Sequence, residues 1–205
     1  MQTYPEKERR IFEGVLSMAE GGADLYLITV QDIARAAGIG KGTVYEYFSS
    51  KEDILAGTIL YCIENELDLA EQALARETTF SGCLEGLGRL LSEVLEQRLV
   101  RYRLMMDSLQ RSDAAHSATK YCQKVRAECD RIVRIAKRLI ELGRAEGKIR
   151  PEYSDEYCLF VFRSALPGLV LSYDTPFVPQ GEKGAGQRIQ QALLSAVQML
   201  YRALG

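Results

Sequence analysis

The stretch that decides the fold is Thr29–Lys51, TVQDIARAAGIGKGTVYEYFSSK. It reads as two short helices joined by a tight turn. Thr29 supplies a hydroxyl where the first helix needs a cap, and Val30, Ile33, Ala34 and Ala37 follow at steps of three and four, the spacing of one helical face. Gly38 is placed to end that helix in the left-handed conformation that costs glycine little. Ile39 can then drop between the helices, and small Ala34 lets them cross closely. Gly40 or Lys41 opens the second helix. Val44 and Phe48, four apart, point inward, which leaves Lys41, Thr43, Tyr45 and Tyr47 on or near the outer face.

That outer face has the chemistry of a recognition helix. Lys41 and Lys51 can neutralise phosphates, the hydroxyls of Thr43, Tyr45 and Tyr47 can donate to phosphate oxygens, and a methyl or ring can touch a thymine methyl. Glu46 is the exception: a carboxylate there either accepts from a cytosine amino group or repels the backbone. The competing reading is an ordinary surface helix with one aromatic packed inward. A phosphate loop over Gly38–Thr43 fails, because that pattern needs glycine at 35 and serine or threonine at 42, where the chain has Arg35 and Gly42.

Asp32-Ile33-Ala34, Ala37-Gly38-Ile39, Lys41-Gly42-Thr43-Val44-Tyr45, Tyr47-Phe48 and Lys51-Glu52-Asp53-Ile54-Leu55 together resemble the TetR/AcrR family of bacterial repressors. The resemblance is dense over roughly the first quarter of the chain; past about residue 65 it lies only in length and helical layout. It implies an all-α homodimer whose N-terminal helix-turn-helix domain holds double-stranded DNA at a palindromic operator. A larger C-terminal domain would bind a small-molecule effector and thereby release the DNA. It also implies DNA contact from Thr29, Lys41, Gly42, Thr43, Tyr45, Tyr47 and Lys51. Two departures are the connection Gly22 to Ile28, longer than usual, and Gly40, where serine or threonine is common.

Composition sets limits on this reading. The 205 residues, 47% hydrophobic and 26% charged, suit one small domain and one larger one. The expected division is a DNA-binding domain over residues 1–50, a linking helix from about 51 to 76, and an effector-binding and dimerisation domain over 51–205. Net charge is −2, and residues 1–55 carry six basic against nine acidic side chains. A DNA-binding face must therefore come from arrangement. Five scattered cysteines with no C-x-x-C pair indicate neither a disulfide framework nor zinc. The charged N-terminus lacks the apolar run of a signal peptide, and the greasiest segment, Tyr157–Tyr173, is broken by Arg163 and Pro167. A cytoplasmic protein is expected.

Pro5 suits the start of an opening helix whose apolar face is Ile11, Val15, Leu16, Met18 and Ala19, ending at Gly21-Gly22. Arg9 and Arg10 lie within it, either reaching phosphates or forming a solvated face. Ser49 or Ser50 caps a fourth helix that runs to about Arg76. A fifth spans Phe80 to Arg98 with Ser81 as cap, and a short sixth spans Tyr102 to Gln110. Cys122 to Leu142 follows helical spacing, and Ser154 with Asp155 and Glu156 opens another helix with a bend at Pro167-Gly168. Thr175 to Gln187 reads as a loop, followed by a final helix on Ile189, Leu193, Ala196, Val197, Leu200 and Leu204. The last two helices carry apolar residues on more than one face, which points to a four-helix interface between two copies.

Candidate effector contacts are Tyr102, Met105, Met106, Leu109, Tyr121, Cys122, Phe162 and Arg163, since methionine and aromatic side chains adapt to apolar ligands and an arginine within an apolar helix can hold an anion. The same stripe is ordinary core if nothing binds there, and Arg163, a charge inside an apolar helix, then requires a partner such as a carboxylate across the dimer. His116, the sole histidine, lacks companions for a metal site. Cys122 and Cys129 share a helix face, with nothing basic clearly arranged to activate either thiol. No acid/base pair, nucleophile constellation or cofactor loop emerges, so an enzyme is disfavoured and no cofactor or metal is expected. A helical adaptor or small-molecule-binding protein that has lost DNA binding is the alternative reading, motivated by the acidic N-terminal balance and Glu46.

Overall fold

The computed structural model describes residues 4–25, 27–97, 122–173 and 185–205. Within them every regular element is helical: α1 Glu6–Glu20, α2 Val30–Ala36, α3 Lys41–Tyr47, α4 Lys51–Ala75, α5 Phe80–Gln97, α6 Cys122–Ala145, α7 Asp155–Tyr173 and α8 Ala185–Leu204. The described residues group into two units. One holds α1 to α3, α4 as far as Asp68 and the start of α6; the other holds α4 from Leu69, α5, α6 from Asp130, α7 and α8.

The first unit is built on Phe12, which the apolar face read from the sequence omitted. It is fully buried with Ile11, Val15 and Leu16, whereas Met18 and Ala19 are half-buried. Its ring lies 5.2 Å from Tyr4, 5.6 Å from Phe48 and 5.4 Å from Tyr61 between centroids, so one side chain joins the N-terminal segment, the end of the α3 region and α4. Aromatic pairs at such separations add to the stabilisation from burial alone. Ile33, Ala34, Ala37, Val44, Ile54 and Leu60 complete this core.

The second core is drawn from five helices, with Leu74, Phe80, Leu84, Leu139, Ile140, Phe162, Leu200 and Leu204 among its buried residues. Its helix starts are tied by side chains. The N–H of Gly82 donates to the Thr79 hydroxyl at 3.0 Å and that of Phe80 to a Glu146 carboxylate oxygen at 2.7 Å. Thr79, not Ser81, therefore caps α5: Ser81 already lies in the first turn, and its hydroxyl pairs with that of Tyr201 at 2.9 Å. Ser154 caps α7 by accepting from the N–H of Tyr157. Arg131 holds Glu71 through two bonds of 2.7 Å, and the Arg131 guanidinium keeps that carboxyl below its usual range.

Helix α7 runs through Pro167 and Gly168 as far as Tyr173, and one boundary differs from the sequence reading: α8 starts at Ala185, within the stretch read as loop. The expected helix Tyr102–Gln110, His116 and residues 175–184 of that loop lie outside the described residues. Among the described residues no helix is long and apolar enough to cross a membrane.

Candidate nucleic-acid interface

Of the two short helices of the first unit, α2 is fixed by side chains at both ends. Thr29 is the cap of α2: its hydroxyl accepts the N–H of Asp32 at 3.2 Å, and the Asp32 carboxylate accepts the N–H of Thr29 at 3.0 Å. This is a reciprocal capping box, with aspartate in the place more often filled by glutamate. The Thr29 hydroxyl also donates to Asp32 at 2.6 Å. These bonds from Thr29 hold the Asp32 carboxyl below its ordinary value.

At the other end of α2 the chain turns through Gly38, whose φ of +65° is the left-handed conformation expected there. The N–H of Ile39 closes the turn on Ala34 O at 3.0 Å, and Ile39 is half-buried against the core. Arg10, from α1, makes a contact that neither alternative named. Its Nε donates to Ala37 O at 3.1 Å and an Nη to Gly38 O at 2.9 Å. A cation at a helix C-terminus, bonded to carbonyls that the helix leaves unpaired, stabilises both the helix and the turn. Gly14 permits this approach: a Cβ there would lie 3.0 Å from Ala37 N and 3.3 Å from Ala36 C.

Helix α3 opens at Lys41 with Gly40 as an extended cap residue and no side-chain cap bond, so the missing serine or threonine leaves the helix start in place. Val44 and Phe48 are buried as expected. Lys41, Gly42, Tyr45 and Glu46 are exposed, and Thr43 and Tyr47 are half-buried, Tyr47 being packed against the core. The Lys41 ammonium stands 5.9 Å from the centroid of the Tyr45 ring, a cation–π pair that gathers the basic and aromatic chemistry of the helix at one place. Lys51 is placed differently from an open surface cation. It is half-buried, and its ammonium donates to Ile28 O at 2.9 Å, tying the loop before α2 to the start of α4. Ser50 is the α4 cap, accepting the N–H of Asp53, while Asp53 accepts that of Ser49.

Of the candidate effector contacts, Tyr102, Met105, Met106, Leu109 and Tyr121 lie outside the described residues, and Cys122 is the first residue of α6. Phe162 is buried in the second core. Arg163 is exposed, so water solvates its charge and no partner within the chain is required. Sequence reasoning missed Arg10 as a clamp, Gly14 as a point of close approach and Asp32 as half of a capping box. Only the last had a local signal, an acid three residues after a threonine.

Comparison with known proteins places this geometry. Residues 23–58 match the family described as bacterial regulatory proteins, tetR family, a span that contains α2, the turn, α3 and the start of α4. Over 48 residues the chain is 48% identical to the HTH-type transcriptional regulator EthR of Mycobacterium tuberculosis, a match covering 23% of this chain and 22% of that protein. The matched part thus spans about a fifth of the relative's length. The whole fold is similar to the ketosteroid transcriptional regulator KstR2 of Mycobacterium tuberculosis, with a TM-score of 0.66 and 23% identity over 96% of this chain and 95% of that one. It is also similar to the transcriptional regulator FadR from Bacillus subtilis, solved in complex with stearoyl-CoA, with a TM-score of 0.66 and 17% identity over 96% and 97%.

Proposed function

We propose that this chain, whose residues 23–58 match the family described as bacterial regulatory proteins, tetR family, is a dimeric, cytoplasmic transcriptional repressor released from a palindromic operator by a small-molecule effector. The observation that carries the reading is the solvent face of α3. Lys41, Gly42 and Tyr45 are exposed there on a helix whose opposite face, Val44, is locked in the core, which is the division of labour a major-groove helix needs.

In this reading residues 1–50 form the DNA-binding domain and 51–205 the effector-binding and dimerisation domain. Lys41 and the Tyr45 hydroxyl meet phosphates or base edges, Gly42 lets the backbone approach, and Thr43, Tyr47 and the Thr29 cap flank them. Lys51 contributes by bracing the loop before α2. Dimerisation through α7 and α8 is supported by large apolar side chains exposed on both, with Phe160 at 68% and Leu194 at 63%, which helices of a second copy would cover. A two-fold dimer sets two recognition helices roughly 34–36 Å apart, one turn of DNA. An effector favouring another separation lowers DNA affinity by its differential binding to the two states.

The test is selection of bound fragments from a random DNA pool, followed by salt titration on the recovered site. A repressor enriches a palindrome and binds it with strong salt dependence. Lys41→Ala should weaken all sequences alike and reduce the salt slope by about 1, while Tyr45→Ala should change base preference. Recovery of no common sequence, with binding indifferent to salt, refutes the reading.

A further inference from the structure

Within the first unit a carboxylate is buried that the DNA-binding geometry does not use. Glu64, on α4, is 7% exposed. Its Oε2 accepts the hydroxyl of Tyr4 at 2.6 Å, while Oε1 is buried with no hydrogen-bond partner. A carboxylate oxygen withdrawn from water without a donor is a costly arrangement, and such groups call for an explanation. Burial pushes the Glu64 carboxyl up. The Tyr4 bond opposes that shift, Glu128 and Asp68 add to it, and Lys124 counteracts it.

The groups around it share one preference. The Tyr4 ring lies edge-on to Tyr61, 5.7 Å between centroids. Lys124, exposed on α6, sets its ammonium 6.0 Å from the centroid of the Tyr4 ring. An aromatic face whose hydroxyl is bound to a buried carboxylate thus already attracts one positive charge. Both the carboxylate oxygen and the ring favour a cation that also donates a hydrogen bond.

We propose that Glu64, Tyr4 and Tyr61 form a receptor for a protonated amine carried on an apolar body, its N–H donating to Glu64 Oε1 and its stem lying against the tyrosine rings. Calling that amine the effector rests on the repressor reading above; the existence of the site does not. Lys124 occupies the same aromatic face from solvent and competes with the ligand.

The experiment uses the full chain and three probes with one skeleton: 4-phenylbutylamine, 4-phenylbutanol and 4-phenylbutyrate, titrated calorimetrically at neutral pH. The amine should bind about tenfold more tightly than the alcohol, the margin between a charge-assisted and a neutral hydrogen bond, and the carboxylate should not bind. Glu64→Gln keeps an oxygen for Tyr4 and should erase the amine's advantage. Lys124→Met, a change at an exposed position, should tighten the amine several-fold. No amine preference in the parent overturns the proposal. So does an undiminished preference in Glu64→Gln with a native circular dichroism spectrum, or weaker amine binding by Lys124→Met. Addition of the amine to the DNA complex separates the two readings. Amine binding that obeys these dependencies but leaves the complex intact establishes the site and removes the effector role. A recovered operator with no amine preference leaves the repressor standing and this site refuted.

Discussion

Gly14→Ala is the substitution whose effect follows most directly from the packing. Any glycine in a helix interior weakens it by about 1 kcal/mol relative to alanine, so replacement alone should stabilise. At Gly88 in α5, where an added Cβ would meet nothing within 4 Å, that gain of about 1 kcal/mol should appear in full. At Gly14 the same methyl would sit 3.0 Å from Ala37 N and 3.3 Å from both Ala36 C and Ala37 Cα. These are backbone atoms, held by the Ile33 carbonyl on one side and the Gly38 turn on the other, and they cannot rotate away. Overpacking of this kind costs roughly 1–3 kcal/mol. The two substitutions should therefore differ by that amount, Gly14→Ala falling between neutral and about 2 kcal/mol destabilising. Hydrogen exchange followed by mass spectrometry reads each unit separately, because local opening is measured peptide by peptide. Peptides from α1 and α2 should exchange up to roughly thirtyfold faster in Gly14→Ala, and those from α5 about fivefold slower in Gly88→Ala. Slowed exchange in Gly14→Ala, matching the Gly88 variant, would show that α1 and α2 do not approach as described.

Arg10→Ala should cost about 1–2 kcal/mol, two charge-assisted bonds reduced by partial exposure, and loosen α2 in the absence of DNA. Arg10→Lys restores charge without the two-pronged geometry, so full recovery of both stability and DNA binding by lysine would contradict the clamp. Asp32 carries a pH dependence of defined sign. Its folded value lies below the ordinary 3.8, so its stabilising effect is complete above that value and lost as pH falls through the lower folded value. Thermal melts of the parent and Asp32→Asn should converge as pH drops below about 4; a gap that stays constant or widens would disprove the capping role. Cys129 is exposed, whereas Cys62, Cys83 and Cys158 are buried, and burial pushes the Cys83 and Cys158 thiols up. N-ethylmaleimide should label Cys129 well before those three, and equal rates would contradict the packing.

What could be read from the chain beforehand was what local spacing encodes. Thr29, Gly38, Val44 and Phe48 each announce a cap, a turn or an inward face within a few residues of themselves, and the structure places them so. Arg10 and Lys51 were legible only as positive charges, because what they hold, Ala37 O and Ile28 O, lies 27 and 23 residues away. No periodicity reports a contact made by a long side chain to a distant carbonyl. Phe12 was missed for a related reason. It belongs to a cluster completed by Tyr4, Phe48 and Tyr61, and its central position emerges only when three elements meet. Ser81 shows the limit of boundary reading: a shift of two residues moves the cap to Thr79 and turns a capping hydroxyl into a partner for Tyr201.

The turn after α2 is held from behind, by Arg10 and by the close approach at Gly14, while the outward side chains of α3 support nothing in the core. In the proposed reading, folding and DNA contact are thereby assigned to different atoms of one seven-residue helix. In the proposed reading, replacing exposed Tyr45 redirects the protein to a new target sequence with little penalty in folding, so the surface is suited to divergence after gene duplication and to laboratory retargeting.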